Sequence, residues 1–404
     1  MAVRGIFTSY SSLVGDRQTN DFAGRLLMNG YGGMVPMLAL SSGMGSDRVT
    51  NTEFSWVEDS WISGNATVTV GGNSAAVSLT VDDANIWIPN SILMNQTTGE
   101  HLFMTARTGN VITVVRGFQN TTPATVTNGD KLQLISTAFA EASGGADSVV
   151  QVGESRTNYV QIFKAKWSVS NTAKAVNYRT GNKVASSKAQ ATTQLSESIE
   201  RAFMFGRPYA GVDPVSGKRL YTSGGIRYNI ETYGGIVQAA NANSVAGRLN
   251  LDLVTNFIRR IFDRNVKGFP NERLTFTGSY TLELLQKMVQ DVGEYSISQG
   301  ESVYGMNVTK LRTFAGELSL LTHPMFVENE AWGREIWVMH PAGIKRKILR
   351  GIEIVEPGDN REDALDATEG HIRTELGFEV SGVKCMGLIT NIQTAGGLAA
   401  LPNS

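Results

Sequence analysis

The sequence predicts an α+β chain, and three stretches carry that prediction. From Phe163 the order alternates strictly: Phe163, Ala165, Trp167 and Val169 face one way, and Lys164, Lys166 and Ser168 face the other. Period-two alternation marks a strand with one buried face. Soon afterwards Leu195, Ile199, Ala202 and Phe203 fall at helical spacing within 192–205, and Gly206 stands where a C-terminal cap is expected. Between residues 64 and 140, short alternating runs separated by turn residues predict a small all-β unit.

Taken in order, residues 1–63 read as an irregular N-terminal arm. Asn20 and Asp21 are placed to cap a short helix bearing Phe22, Leu26 and Leu27, and an apolar strip follows from Met34 to Leu40. In the β-rich insert, 64–140, strands 67–70 and 76–81 flank Gly71-Gly72-Asn73-Ser74, a hairpin signal. Runs 111–117 and 131–135 supply further strands. The ribbon beginning at Glu154 should pair with a strand around 173–178, making an extended two-stranded loop within 141–185. The polar run Ser186-Ser187-Lys188 then precedes the helix. A long ribbon next to a helix reads as an arm laid on a neighbouring molecule.

The remainder mixes both element types. Leu251, Val254, Ile258, Ile261 and Phe262 form the apolar face of a helix that Asn250 would cap. Strand 273–277 leads into a helix over 280–292 that buries Leu284, Leu285, Met288 and Val289. Strands follow near 308–314, 317–321 and 335–340, and a return run spans 375–392. The glycine pairs Gly224-Gly225 and Gly234-Gly235 are expected to act as hinges.

Composition bounds the function. Thirty-six lysines and arginines nearly balance 37 aspartates and glutamates, giving a formal charge of −1. A dedicated nucleic-acid binder would carry a basic excess, so only weak contact with DNA is expected. Charged residues make up 18% of the chain, below the quarter or so usual for a soluble monomer, and glycine is abundant at 43. Such a chain is expected to hide surface against copies of itself. The lone cysteine, Cys385, excludes an intrachain disulfide and reads as a small buried hydrophobe. The start, Met1 to Thr8, does not read as a signal peptide. No apolar run approaches the roughly 20 residues needed to span a bilayer.

No catalytic chemistry is legible. His101, His323, His340 and His371 show no zinc-ligand spacing, and each reads as a solvated or core-edge histidine. There is no phosphate loop and no nucleophile elbow. The acidic run 356–366 lacks the calcium-loop pattern and reads as solvated. No cofactor, metal or catalytic residue is therefore assigned. Trp87 is the single hint of a sugar-binding surface, and it lacks the paired carboxylates such a site wants. The basic cluster Lys345-Arg346-Lys347 reads as one side of an inter-subunit salt bridge.

Several stretches resemble the major capsid proteins of tailed double-stranded DNA bacteriophages. They are Phe22 to Pro36 with Glu53 to Asp59; Thr113 to Gly117 with Gly129-Asp130; Ala138 to Ala142; Asn158 to Phe163; Val169 to Ala173; and Ile199 to Ala202. The resemblance implies an N-terminal arm (1–63), an inserted β domain (64–140), an extended loop (141–185) and a spine helix opening a peripheral domain (186–229). An axial domain (230–345) and return strands with a tail (346–404) would complete the chain. It implies a structural protein that forms hexamers and pentamers of an icosahedral head around double-stranded DNA, found in the virion and assembled in the host cytoplasm. A separate scaffolding protein, a portal and a decoration protein would be its partners, with no membrane. Tyr159, Phe163, Lys164, Lys166, Trp167, Arg201, Lys345, Arg346 and Lys347 are the expected subunit-interface residues. A tail or baseplate protein and a carbohydrate-binding protein are the alternatives.

Overall fold

The computed structural model describes Met37 and residues 45–59, 64–148, 153–176, 182–240, 249, 251–264, 272–292, 297–303, 306–313, 315–356 and 366–393. The chain divides into two units, one joining Met1–Ser55 to Thr157–Ser404 and the other Trp56–Arg156. The larger unit begins with β1 (Ser46–Arg48) and β2 (Glu53–Glu58), and β2 carries the chain into the smaller unit.

Within the smaller unit, six strands close a barrel: β3 (Asn65–Val70), β4 (Ser78–Val81), β5 (Ser91–Asn95), β6 (His101–Thr108), β7 (Val111–Val115) and β8 (Lys131–Thr137), in the order β3-β4-β7-β6-β5-β8. Its inward positions alternate as β-patterning demands, so Val68, Leu79, Val81, Leu102, Met104, Ile112, Val114 and Leu132 fill the interior. The hairpin expected about Gly71 to Ser74 is present as β3–β4. Strands β5 and β6 were not expected, since Ser91-Ile92-Leu93-Met94-Asn95 has no alternation and is buried at four of its five positions. Trp87 lies in this core and donates its indole N–H to Gly64 O (3.1 Å), so it offers no exposed platform to a sugar.

The chain returns through β9 (Glu154–Tyr159), which pairs with β2, and continues as β10 (Gln161–Ser170). Next come α1 (Asn171–Ala175), α2 (Lys183–Phe205), β11 (Tyr209–Val212), β12 (Arg219–Thr222), α3 (Ile226–Thr232), β13 (Ile236–Ala239) and α4 (Leu251–Asp263). After them lie β14 (Glu272–Thr277), α5 (Ser279–Val292), β15 (Ile297–Val303), β16 (Met306–Arg312) and β17 (Glu317–Thr322). The short helices α6 (Met325–Glu328) and α7 (Glu330–Gly333) lead to β18 (Ile336–Met339), β19 (Ile344–Val355), β20 (Ala367–Val380) and β21 (Gly387–Thr390).

Two sheets organise the larger unit. One has the order β1-β19-β20-β10, and the other β13-β21-β18-β14-β17-β16-β15. The seven-stranded sheet is covered on both faces. Trp337 and Met339 of β18 join the core shared with α2, while Ile336 and Val338 join the core shared with α4 and α5. Burial on both sides explains why β18, Ile336-Trp337-Val338-Met339, is a continuous apolar run with no polar face. On α4, Val254, Ile258, Ile261 and Phe262 are buried as the helical spacing predicts.

The ribbon differs from expectation. Asn171–Ala175 is helix and not strand, and the Ser170 hydroxyl accepts from Ala173 N–H to cap it; residues 177–178 of the expected strand lie outside the described residues. The partner of β10 is β20, antiparallel from Gln161↔Leu376 to Ser170↔Ala367. Alternation correctly identifies a buried face but carries no information about which strand lies beside it. The helix also begins earlier than expected. Asn182 accepts from Val184 and Ala185 N–H as its N-cap, and Ser186-Ser187-Lys188 lies inside it.

The buried face of β10 belongs to this chain's own core. Phe163 and Trp167 pack with Leu195, Ile199 and Phe203 of α2 and with Ile372 and Phe378 of β20. Gly370 stands directly opposite Trp167, where a Cβ would come within 2.7 Å of the indole. Lys188 Nζ sits 4.7 Å from the same ring. The second glycine of each pair is likewise packed: a Cβ on Gly225 would lie 2.5 Å from Phe203 O, and one on Gly235 2.5 Å from Ile230 Cγ2.

The described residues exclude most of 1–63, residues 357–365 and Asn250, so the expectations made there lie outside them.

Trp167→Ala should destabilise the isolated subunit by about 3–5 kcal/mol in urea unfolding, the range for emptying a packed aromatic site. Gly225→Ala should lower subunit stability directly, read as a fall in the urea midpoint, because its added carbon meets backbone. Wild-type midpoints for both would place these positions outside the core.

Candidate functional site

The sheets determine which side chains reach the surface. With Phe163 and Trp167 turned inward, β10 presents Ile162, Lys164, Lys166 and Ser168 outward. The neighbouring positions on β20 are Glu375, Arg373, His371 and Glu369. Ion pairs lace this face: Lys166 with Glu369 (2.6 Å), Arg373 with Glu353 (3.0 Å) and Arg350 with Glu375 (3.7 Å). Exposed pairs of this kind contribute little to folding and leave the face free to exchange partners.

The other expected interface residues are spread over the larger unit. Phe163 and Trp167 are removed from that set, because both are buried by α2 and β20 and present no side-chain surface to a neighbour. Tyr159 is half-buried and stacks on Tyr221 (5.8 Å between ring centres). Arg201 is half-exposed beside Glu197 and Glu328. Lys345 and Lys347 find partners inside their own chain: Lys347 reaches Asp47 (2.7 Å) and Glu379 (2.7 Å), and Lys345 approaches Asp47 (3.9 Å).

Asp47 lies on β1, so this cluster fastens a three-residue parallel edge strand to β19. The hydrogen bond and charge of Lys347 hold the Asp47 carboxyl below its ordinary pKa. Burial pulls the Lys347 ammonium down, but its two carboxylates more than offset this and leave it raised. Arg346 is half-buried, and desolvation lowers its pKa.

Two polar junctions escaped the sequence reading. At the first, Glu200 of α2 and His323 are both fully buried. Glu200 Oε1 accepts from Met37 N–H (2.7 Å) and lies 2.9 Å from His323 Nε2. Met325 N–H donates to His323 Nδ1 (3.2 Å), so Nε2 carries the proton and donates to Glu200. This histidine, expected at a core edge or in solvent, therefore joins α2, Met37 and the end of β17. Only the spacing of Glu200 among Ile199 and Phe203 hinted that it turns inward.

At the second, Asn158 is buried and uses both ends of its amide. It donates to Gly224 O (2.9 Å) and Phe378 O (2.7 Å), and it accepts from Gly224 N–H (2.7 Å) and Tyr159 N–H (2.9 Å). A further element with no clear alternation, the hairpin β11–β12, projects exposed apolar side chains. Its signal was the turn composition Asp213-Pro214-Val215-Ser216-Gly217.

In the barrel, Glu100 and Arg116 form a buried clamp. Arg116 Nε and a terminal nitrogen donate to the two Glu100 oxygens (2.8 and 2.7 Å), and Gly117 and Ala124 N–H donate to the same carboxylate (both 3.1 Å). Arg116 also reaches Asn73 O (2.8 Å), Ala76 O (3.0 Å) and Ala124 O. One ion pair thus ties the 71–77 and 117–126 loops together. Desolvation pushes the Glu100 carboxyl up, but Arg116 and the backbone donors outweigh it and hold its pKa below the ordinary value. Among the described residues, no three potential ligands gather as a metal site.

A long helix laid across one sheet, a second sheet buried on both faces and a chain that enters and leaves an inserted barrel define the class: this is the fold of tailed-phage capsid proteins. The capsid of a native GTA particle shares it with a TM-score of 0.51 at 11% identity, covering 96% of this chain and 100% of that one. The empty GTA particle's capsid gives 0.50 at 10% identity over 96% and 100%. The chain belongs to the SU10 major capsid protein family, whose sequence pattern matches residues 7–393. It is also similar to the major capsid protein of Pseudomonas phage PaMx41, 27% identical over 393 residues that cover 93% of this chain and 92% of that one. It is a phage major capsid protein, a structural component of the virion and not an enzyme.

Because the Glu100 pKa is lowered in the folded state, its contribution is full above the unfolded carboxylate pKa and is lost as pH falls through the folded value. Glu100→Gln should cost about 3 kcal/mol at pH 7, where it removes one partner of a buried pair, and should flatten the acid limb of stability. Thermal melts across pH check this; parallel curves for variant and wild type would contradict it.

Proposed function

We propose that copies of this chain form hexamers and pentamers that close an icosahedral head around double-stranded DNA. The observation that carries the reading is the family match across residues 7–393, together with a fold that buries its own core and still leaves apolar side chains on strands and a hairpin. In this reading the four-stranded sheet and α2 act as the peripheral domain, and residues 230–345, which supply six strands of the seven-stranded sheet, as the axial domain. The arm, 1–63, and the extended region, 141–185, reach neighbouring subunits with the parts outside β1 and β10, which this chain's own sheet holds. Lys164, Lys166, Tyr159 and Arg201 take part in lateral contacts, with Lys345, Arg346 and Lys347 bracing the arm.

Obligate interfaces of this kind bury roughly 2,000–5,000 Å² each. The apolar part of that area contributes about 25 cal/mol per Å² before the cost of ordering is subtracted. A formal charge of −1 supports weak, non-specific contact with the packaged DNA. Assembly takes place in the host cytoplasm with a separate scaffolding protein and a portal, and a decoration protein is a further partner.

Purified protein, incubated alone and with the candidate scaffold expressed from the same source, should give closed particles in electron micrographs. Open tubes or stacked rings under both conditions would instead identify a tail component.

A further inference from the structure

The hairpin β11–β12 presents Tyr209, Val212, Val215 and Leu220 to solvent. Its tip is built rather than loose. The Asp213 carboxylate accepts from Val215 N–H (3.1 Å), Ser216 N–H (3.2 Å) and the Ser216 hydroxyl, and Gly217 takes φ +66° to close the turn onto Asp213 O (2.9 Å). Val215 is thereby held at the apex, 93% exposed. An apolar side chain fixed in water by a hydrogen-bonded turn gains nothing within its own subunit, and such features mark interaction sites. Lys218 and Arg219 flank it, while the Asp213 charge is engaged in the turn. A matching surface is therefore apolar and bordered by carboxylates.

The larger unit carries such a surface on β19. Ile352 and Ile354 are 69% and 59% exposed, with the exposed Glu356, paired with Lys188 of α2, just beyond them. Ile354 lies opposite Ile372, whose side chain is buried in the core shared with α2, yet is itself 59% exposed. β1 pairs with β19 only as far as Ile348, so beyond it this strand edge has no partner strand among the described residues. Val215 and the two isoleucines are exposed in the same chain, so they do not cover each other within one subunit.

The geometry points to a contact between copies, in which the 209–222 hairpin of one subunit seats Val215 on Ile352 and Ile354 of a neighbour. Lys218 and Arg219 then approach Glu356, in exchange for Lys188. The inference rests on the self-assembly proposed above and adds which surfaces meet. Because the two surfaces differ, the contact is heterologous and repeats from subunit to subunit, as a ring or lattice requires.

The test uses Val215→Asp and the paired substitution Val215→Cys with Ile352→Cys, alongside wild type under conditions that assemble it. The single native cysteine, Cys385, is buried. Val215→Asp should leave the subunit's melting temperature unchanged and reduce particle yield at least tenfold. Mild oxidation of particles carrying both cysteines should give a ladder of disulfide-linked multimers, and Val215→Cys alone should stay monomeric on the gel. Full-yield particles from Val215→Asp, monomers only from the paired variant, or tip-to-tip dimers from Val215→Cys alone would each overturn the contact. Failure of wild type to form particles under any condition would overturn the assembly reading itself, and with it this contact.

Discussion

The rest of the larger unit depends on one packing arrangement, α2 laid across β10 and β20. Strict alternation in β10 sends Phe163 and Trp167 into that contact, and Gly370 makes room for the indole on the adjacent strand. Phe203 stacks on Phe378 at 4.1 Å toward the other end of the helix. Once those faces meet, every other residue of β10 points outward, and the hairpin that follows α2 begins from an anchored base. Asn158 secures that base by bonding Gly224 and Phe378 together. The surfaces left for neighbours are therefore a consequence of how the core is filled.

The division between core and surface also separates two roles that the sequence runs together. A ribbon with a buried face looks the same whether the burial is supplied by its own chain or by another. Here Trp167 and Phe163 supply folding, while Lys164 and Lys166, one residue away, remain available for association. The basic triplet shows the same ambiguity. Lys347 satisfies Asp47 and Glu379 within the chain, so its charge braces an edge strand. In the barrel, Glu100 and Arg116 hold two loops with a pair that is costly to desolvate, and repay that with backbone hydrogen bonds on both partners.

What could be read in advance followed from periodicity. The β3–β4 hairpin, the apolar face of α4 and the strand–helix pair β14–α5 all declare themselves locally, because each signal lies within one element or one turn. The unread parts are those settled over long separations. β20 pairs with β10 across some two hundred residues, and no local pattern names that partner. His323 is placed by Glu200 on a distant helix, and the short apolar run in β5 lacks the alternation that would set it apart from a loop. The hairpin β11–β12 has clear turn chemistry but apolar residues on the outside, an inversion that makes sense only once the chain is seen as one member of an assembly.

Hydrogen exchange measured on soluble subunits and on assembled particles tests this division most directly. Amides of α2, β10 and β20 should already be protected in the free subunit and change little on assembly. Those of residues 209–222 and 350–356 should gain protection only in particles. Unprotected α2 and β10 in the free subunit, becoming protected only in particles, would contradict the account by showing that the central packing is itself supplied by neighbours.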